Sequence, residues 1–160
     1  MGAGFHSFQE PLRAAIAETQ ATLMLEWGPG LSTDIMLAAV TTRRVISIEH
    51  DPRYVADIEA RLRGASGWSL VQMPCTNRDS SYATCALDIA RDQGALFDLI
   101  FIDGRRRIEC LLVALQIIRP GGLILLHDWC RTNYQRLVRD LPHCEVLRVE
   151  HNTATMRRRG

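Results

Sequence analysis

Four acidic side chains and one histidine stand where they can meet a ligand: Glu26, Glu49, Asp103, His127 and Asp128. Glu26 closes the apolar run Leu23-Met24-Leu25 and leads through Trp27 into Gly28-Pro29-Gly30-Leu31-Ser32-Thr33. Glycines at 28 and 30 permit positive φ and let a ligand approach backbone that a Cβ would shield. Ser32 or Thr33 can cap a helix opening there, and the free N–H groups of such a helix attract a carboxylate or phosphate. An acid at 26 argues against phosphate and for a cationic or amino-bearing ligand. Roughly 20 residues beyond the glycines, Val45-Ile46-Ser47-Ile48 runs into Glu49-His50-Asp51-Pro52, the distance at which a nucleotide-type fold grips ribose. A carboxylate at 49 can accept two hydrogen bonds from a vicinal diol.

These groups converge if the segments carrying them are parallel strands. Apolar runs at residues 23–27, 44–49, 68–73, 96–103 and 123–127 read as five strands, and the run before Asp103 is apolar enough for a strand buried on both faces. Helices are expected between them. Phe8, Leu12, Ala15 and Ile16 share a face over residues 8–20, and a first crossover helix covers 33–40. Asp51 and Pro52 open a helix as N-cap and first-turn proline, with Tyr54, Val55, Ile58 and Leu62 as its apolar stripe. Ala83, Ala86, Leu87 and Ala90 mark a helix over 82–91. Ile108, Leu111, Leu112, Leu115 and Ile118 form the inner face of the next one, which Pro120-Gly121-Gly122 terminates. A helix over 131–140 buries Tyr134, Leu137, Val138 and Leu141. Runs at 145–150 and 153–157, separated by His151-Asn152, read as a hairpin. Ligands of an open α/β sheet bind beyond the carboxyl ends of its strands, which here end in Glu26, Glu49, Asp103 and His127-Asp128.

In this order, Glu26-Trp27-Gly28-Pro29-Gly30 with Ser32-Thr33, Glu49-His50-Asp51-Pro52, Phe97-Asp98-Leu99-Ile100-Phe101-Ile102-Asp103-Gly104 and Arg119-Pro120-Gly121-Gly122 resemble the motif set of class I S-adenosylmethionine-dependent methyltransferases. The resemblance implies an α/β, doubly wound, mostly parallel seven-stranded sheet with a C-terminal antiparallel hairpin, the Rossmann-like methyltransferase fold. It implies one domain over residues 1–160. In its N-terminal helical segment 1–21, the helix over 8–20 would lean on the sheet, and Gly4, Phe5, His6 and Ser7 before it either fold over the cofactor as a lid or form a loose terminus. S-adenosylmethionine is the implied cofactor. Glu26, Trp27, Gly28, Gly30, Ser32 and Thr33 would hold its methionine part, Glu49 its ribose and His50 its adenine, with Asp103 on the same rim. Many relatives place an acid after the third strand for the adenine amino group. Here Pro74-Cys75-Thr76-Asn77 leaves backbone or Asn77 to serve.

Methyl transfer is an in-line displacement in which the protein aligns the acceptor and excludes water. A hydroxyl acceptor must also lose a proton. His127 is the base expected by type, with Asp128 or Asp103 as orienter or alternative base; a structural His–Asp pair is the competing reading. Catechol-type O-methyltransferases ring a magnesium ion with acids at the positions of Asp103 and Asp128, but Trp129 stands at their third position, so no metal is expected. The Asn/Asp-Pro-Pro-aromatic motif of amino-directed enzymes is replaced by Ile102-Asp103-Gly104-Arg105, which favours an oxygen acceptor. Arg105 and Arg131 flank the acceptor side, either as clamps for an anionic substrate or as partners of Asp128 and Asp103. A nicotinamide-dependent oxidoreductase is the competing enzyme class, weakened by the missing third glycine and by the acid at 26. A cofactor-binding domain without turnover is the third reading.

With 160 residues the chain suits one domain with a sizeable core, and a net charge of +1 offers no strong field for nucleic acid or membrane. A small-molecule substrate is therefore expected, and a homodimer would complete a pocket that lacks an inserted acceptor-binding domain. Cysteines 75, 85, 110, 130 and 144 lack C-x-x-C or zinc spacing and suit reduced thiols. No signal-peptide or membrane-spanning run is evident, so a cytoplasmic location is expected.

Overall fold

The computed structural model describes residues 7–76 and 78–160. Strands β1 (Leu23–Trp27), β2 (Arg44–Glu49), β3 (Trp68–Gln72), β4 (Phe97–Ile102) and β5 (Ile118–His127) pair in parallel, and β6 (Cys144–Glu150) and β7 (Thr153–Arg158) complete the sheet. The order is β3-β2-β1-β4-β5-β7-β6, with β7 antiparallel to both neighbours. The expected seven-stranded α/β sheet and its C-terminal hairpin are both present. The winding reverses between β1 and β4, which opens a crevice at their carboxyl ends.

Strand periodicity sorts the apolar side chains onto two faces. Leu25, Trp27, Ile46, Ile48, Ile100, Ile102, Ile124 and Leu126 pack in one core with side chains of α4 (Ser81–Gln93), α5 (Arg107–Ile117) and α6 (Thr132–Arg139). Met24, Val45, Leu99, Phe101, Leu123 and Leu125 pack in a second core with α1 (Gln9–Thr19) and α2 (Leu31–Leu37). The last helix, α3 (Pro52–Arg61), lies against β2 and β3. Asp51 caps it as expected, accepting from the Arg53 N–H at 2.9 Å. Arg53, bonded to Asp51 through side chain and backbone, holds that carboxyl down at about 2, so the cap stays charged. At the opposite edge of the sheet, Asp98 accepts from Thr22 N, Thr22 Oγ1, Leu23 N and Arg119 Nε, tying β4 to the start of β1 and to β5.

Some expectations shift. The chain is already paired as strand at Ile118, one residue after α5, and Arg119-Pro120-Gly121-Gly122 lies inside β5 as an irregularity. Phe97 pairs with Ile118 and Leu99 with Leu123, so β5 carries the extra residues as a bulge. Leu137 is half exposed, because α6 buries only its Tyr134 and Val138 stripe. The β6–β7 turn is as expected: His151 and Asn152 both have positive φ, the two-residue hairpin geometry that matches strand twist. All five cysteines are free thiols, and burial pushes Cys85 and Cys144 up to about 11. Among the described residues no helix is long and apolar enough to cross a membrane. The expected roles of Gly4, Phe5 and His6 over the cofactor and of Asn77 at the adenine fall outside the described residues.

Candidate active site

Two glycine turns meet at the crevice. Gly28 has φ +84°, and a Cβ there would stand 2.8 Å from both N and Cα of Gly104, so the turn after β1 stacks backbone on backbone against the turn after β4. Its N–H donates to Ile48 O at 3.0 Å. A Cβ on Gly104 would run into the Tyr82 hydroxyl. Gly30 differs from expectation: its φ is −178°, extended backbone open to any residue, so the positive-φ argument holds at 28 alone of the two. Gly30 is also the N-cap of α2, while Ser32 and Thr33 lie within its first turn, where Thr33 Oγ1 accepts from the Gly30 N–H at 3.1 Å.

The meeting of the turns leaves a cleft of about 550 Å³ at the carboxyl edge. Of the residues singled out in the sequence, Gly28, Gly30, Ser32, Glu49, His50 and Asp103 line it, as do Arg105 and Arg131. Glu26, Trp27, Thr33, His127 and Asp128 do not. Trp27 is fully buried and donates its indole N–H to Tyr82 O at 3.0 Å, a structural bond beneath the turn.

Glu26 has no exposed surface and sits below the turn. Its carboxylate accepts from Ser32 at 2.5 Å, Thr33 at 2.6 Å and Ser47 at 2.6 Å, and Ser47 in turn accepts from the Trp68 indole N–H at 3.0 Å. Glu26, expected at the ligand from the sequence, is thus buried one layer below the cleft and bonded to Ser32 of its lining. Burial pushes its carboxyl up to about 7, and the three hydroxyls offset this in part.

Glu49 serves the cleft directly. Its Oε1 accepts from His50 N at 2.6 Å and Asp51 N at 2.8 Å, which fixes the carboxylate; no hydrogen bond reaches Oε2 from the described residues. His50 Nδ1 lies 2.6 Å from the same Oε1 but out of line for a hydrogen bond, and it finds no other partner among the described residues. The His50 ring stands edge-on to Tyr82, 5.8 Å between centroids.

On the far side, Asp103 Oδ1 meets His127 Nδ1 at 2.9 Å and the Arg107 guanidinium at 2.8 Å. The same guanidinium reaches Asp128 at 3.0 Å and the carbonyl of His127 at 2.8 Å, so it bridges the two carboxylates. His127 is 6% exposed, covered by the Phe8 ring edge-on at 5.4 Å, and its Nε2 lies 3.2 Å from Ser7 Oγ. The Asp103 carboxylate fixes Nδ1–H as a donor; in the neutral ring Nε2 then accepts from Ser7.

A family model described as a methyltransferase domain matches residues 25–129, the span from β1 through the residues just after β5. The chain belongs to that family. Family and fold together make it a class I methyltransferase with S-adenosylmethionine as methyl donor, which decides against the nicotinamide alternative. Among solved structures, cofactor-bound Rv0187 from MTB is similar at TM-score 0.73 and 20% identity, covering 94% of this chain and 79% of that one. A methyltransferase-like protein from Silicibacter pomeroyi is similar at 0.72 and 22%, covering 94% and 84%. The O-methyltransferase from Bacillus cereus in complex with SAH is similar at 0.68 and 17%, covering 92% and 78%. At these identities the likeness is one of fold. No curated protein matches the sequence.

The methyltransferase cleft also has walls that sequence reasoning assigned elsewhere. Tyr54, read as part of the α3 stripe, is 47% exposed and lines the cleft, as do Phe8 and Tyr134. The position of Tyr54 in the first turn after the Asp51 cap was the available signal, since the first turn faces the carboxyl edge. Arg106 and Arg107 line the cleft as well, and nothing in the run Arg105-Arg106-Arg107 separates their roles.

Proposed function

We propose that this methyltransferase acts on an oxygen of a small-molecule acceptor, with Asp103 receiving the acceptor's proton. The observation that carries the reading is the cleft-lining Asp103 carboxylate. His127 and Arg107 hold its Oδ1, while Oδ2 takes no hydrogen bond from the described residues. The residues present fit the cofactor. The unbonded Oε2 of Glu49 suits a ribose diol, and the bare backbone at Gly28 permits close approach. When bound, S-adenosylmethionine supplies a methyl group made electrophilic by its sulfonium.

The remaining work falls to this chain. Glu26 sets Ser32 and Thr33 from below, so the cleft floor is rigid before ligand arrives. Asp103 accepts the hydroxyl proton at Oδ2 as the acceptor oxygen becomes the nucleophile. His127, outside the cleft, acts as a positioning residue: its Nδ1–H orients Asp103, a change from the direct base expected by residue type. Phe8 and Tyr134 line the same cleft with apolar surface that displaces water around the reacting atoms.

Calorimetry with adenosylhomocysteine and with NADH tests the cofactor; binding of NADH alone would refute it. A mass-spectrometric screen for methyl gain by candidate metabolites tests the acceptor, and an N-methylated product would refute the oxygen assignment. Asp103→Asn should retain adenosylhomocysteine binding and lower kcat by about 100-fold or more. Undiminished kcat on a hydroxyl substrate would end the base assignment.

A further inference from the structure

Glu26 is a carboxyl group without a counter-charge. It has no exposed surface, and its hydrogen-bond partners among the described residues are three neutral hydroxyls, on Ser32, Thr33 and Ser47. Among the described residues, no element packed against it brings it a cation. On β2, Ser47 stands opposite, and Glu49 follows on the same face with His50 Nδ1 beside it. Behind Ser47, β3 contributes the Trp68 indole. On β4, Phe101 stands opposite, and beyond it comes Asp103, whose partner Arg107 is shared with Asp128. On α2, Ser32 and Thr33 are followed by Asp34, which holds Arg61 of α3. Helix α1 turns apolar side chains, among them Phe8 and Leu12, to this face of the sheet. Burial pushes the Glu26 carboxyl up to about 7 against the pull of the hydroxyls, and Asp103 adds to the rise. One side chain separates this group from the cleft, since Ser32 both bonds Glu26 at 2.5 Å and lines the cavity.

Resting on S-adenosylmethionine as the cofactor, we propose that Glu26 holds a proton in the free protein at and below neutral pH and gives it up to solvent when the cleft takes a positively charged cofactor. The carboxyl O–H bond breaks, the proton passes to buffer, and the electron pair stays on the carboxylate. Serine and threonine hydroxyls donate or accept by rotating, so the same cage holds the acid in both forms. A positive ligand in the cleft favours the ionised form, and the buried acid thereby selects the ligand by charge without touching it. The direction follows from linkage. Fewer protons are bound with ligand than without, so cofactor affinity rises with pH through about 7.

Calorimetry of S-adenosylmethionine binding in buffers of different ionisation enthalpy counts the protons. Relative to Glu26→Gln, wild type should release about half a proton at about pH 6.5 and gain about five- to tenfold in affinity from about pH 6 to about pH 8. The comparison cancels titration of the ligand's amino group and of His50. Infrared difference spectra should show wild type losing a protonated-carboxyl band on binding, a loss that Glu26→Gln lacks. Equal proton release by the two proteins, or no loss of that band, would overturn the proposal while leaving the methyltransferase standing. So would equal release on binding 5′-methylthioadenosine, which keeps the nucleoside and lacks the sulfonium and the amino-acid head. Failure of S-adenosylmethionine to bind at any pH would instead strike the cofactor reading on which it rests.

Discussion

Glu26→Gln separates the buried carboxyl from the cleft it supports. Glu26 is fully buried, and its carboxyl is raised from 4.5 to about 7 by that burial. Between those two values the unfolded chain has released the proton and the native protein still holds it, so the native state binds more protons and stability falls as pH rises. At 1.36 kcal/mol per unit, the shift amounts to about 3 kcal/mol, absent below about 4.5 and fully developed above about 7. Glutamine imitates the protonated acid: its carbonyl accepts from Thr33 and Ser47, and its amide donates to Ser32. It carries no titration. Urea unfolding of both proteins at about pH 5 and about pH 8 should therefore show Glu26→Gln gaining about 2–3 kcal/mol relative to wild type between the two conditions. Comparing the variant with wild type at each pH removes the contribution of every other titrating group. A difference that stays constant from acid to alkaline pH would refute the reasoning, because it would mean that the three hydroxyls fully compensate the buried charge.

Gly28→Ala forces a side chain into φ +84° and into the Gly104 backbone; it should cost about 2 kcal/mol or more in urea and weaken adenosylhomocysteine binding at least about tenfold. Wild-type affinity would show that the two turns need not stack. Glu49→Gln keeps an oxygen for the His50 and Asp51 N–H groups but replaces the free carboxylate oxygen, so the melting temperature should hold while calorimetric affinity drops about tenfold. An unchanged Kd would remove Glu49 from the site. Asp98→Ala loses four hydrogen bonds at the other end of the sheet, and should destabilise by about 2 kcal/mol with adenosylhomocysteine affinity intact. A parallel loss of affinity would mean that the two edges are coupled.

Much of the fold was legible because its signals are local. The Asp51-Pro52 cap, the apolar run before Asp103 and the His151-Asn152 turn each state their geometry within a few residues. The site was legible as a set of strand ends, not as a set of contacts. Arg105, Arg106 and Arg107 are identical in type, and their fates diverge because Arg106, at φ +49°, turns the chain into α5. One neighbour is thereby left in solvent and the other is directed between Asp103 and Asp128. His127 is the residue type expected of a base, yet Ser7 and Phe8, more than a hundred positions away in the chain, decide that it stays out of the cleft.

The two glutamates show what the missing information is. Both end apolar strands, and both point to the same face of the sheet, because Glu26 lies opposite Ser47 and Glu49 follows Ser47 by two positions. The pairing of β1 with β2 stops at Trp27 and Ile48. Glu49 lies one position beyond the last β1 pair, with the side-chain-free Gly28 next along on that side and Gln72 of β3 on the other, so its carboxylate reaches the cleft. Glu26 is flanked on both sides, by Ser47 and by Phe101, and is closed over by α2 through Ser32 and Thr33. One acid lines the cleft and the other becomes a buried support through a difference of register between adjacent strands. A single sequence does not record register; it arises from which side chains interlock when the sheet forms.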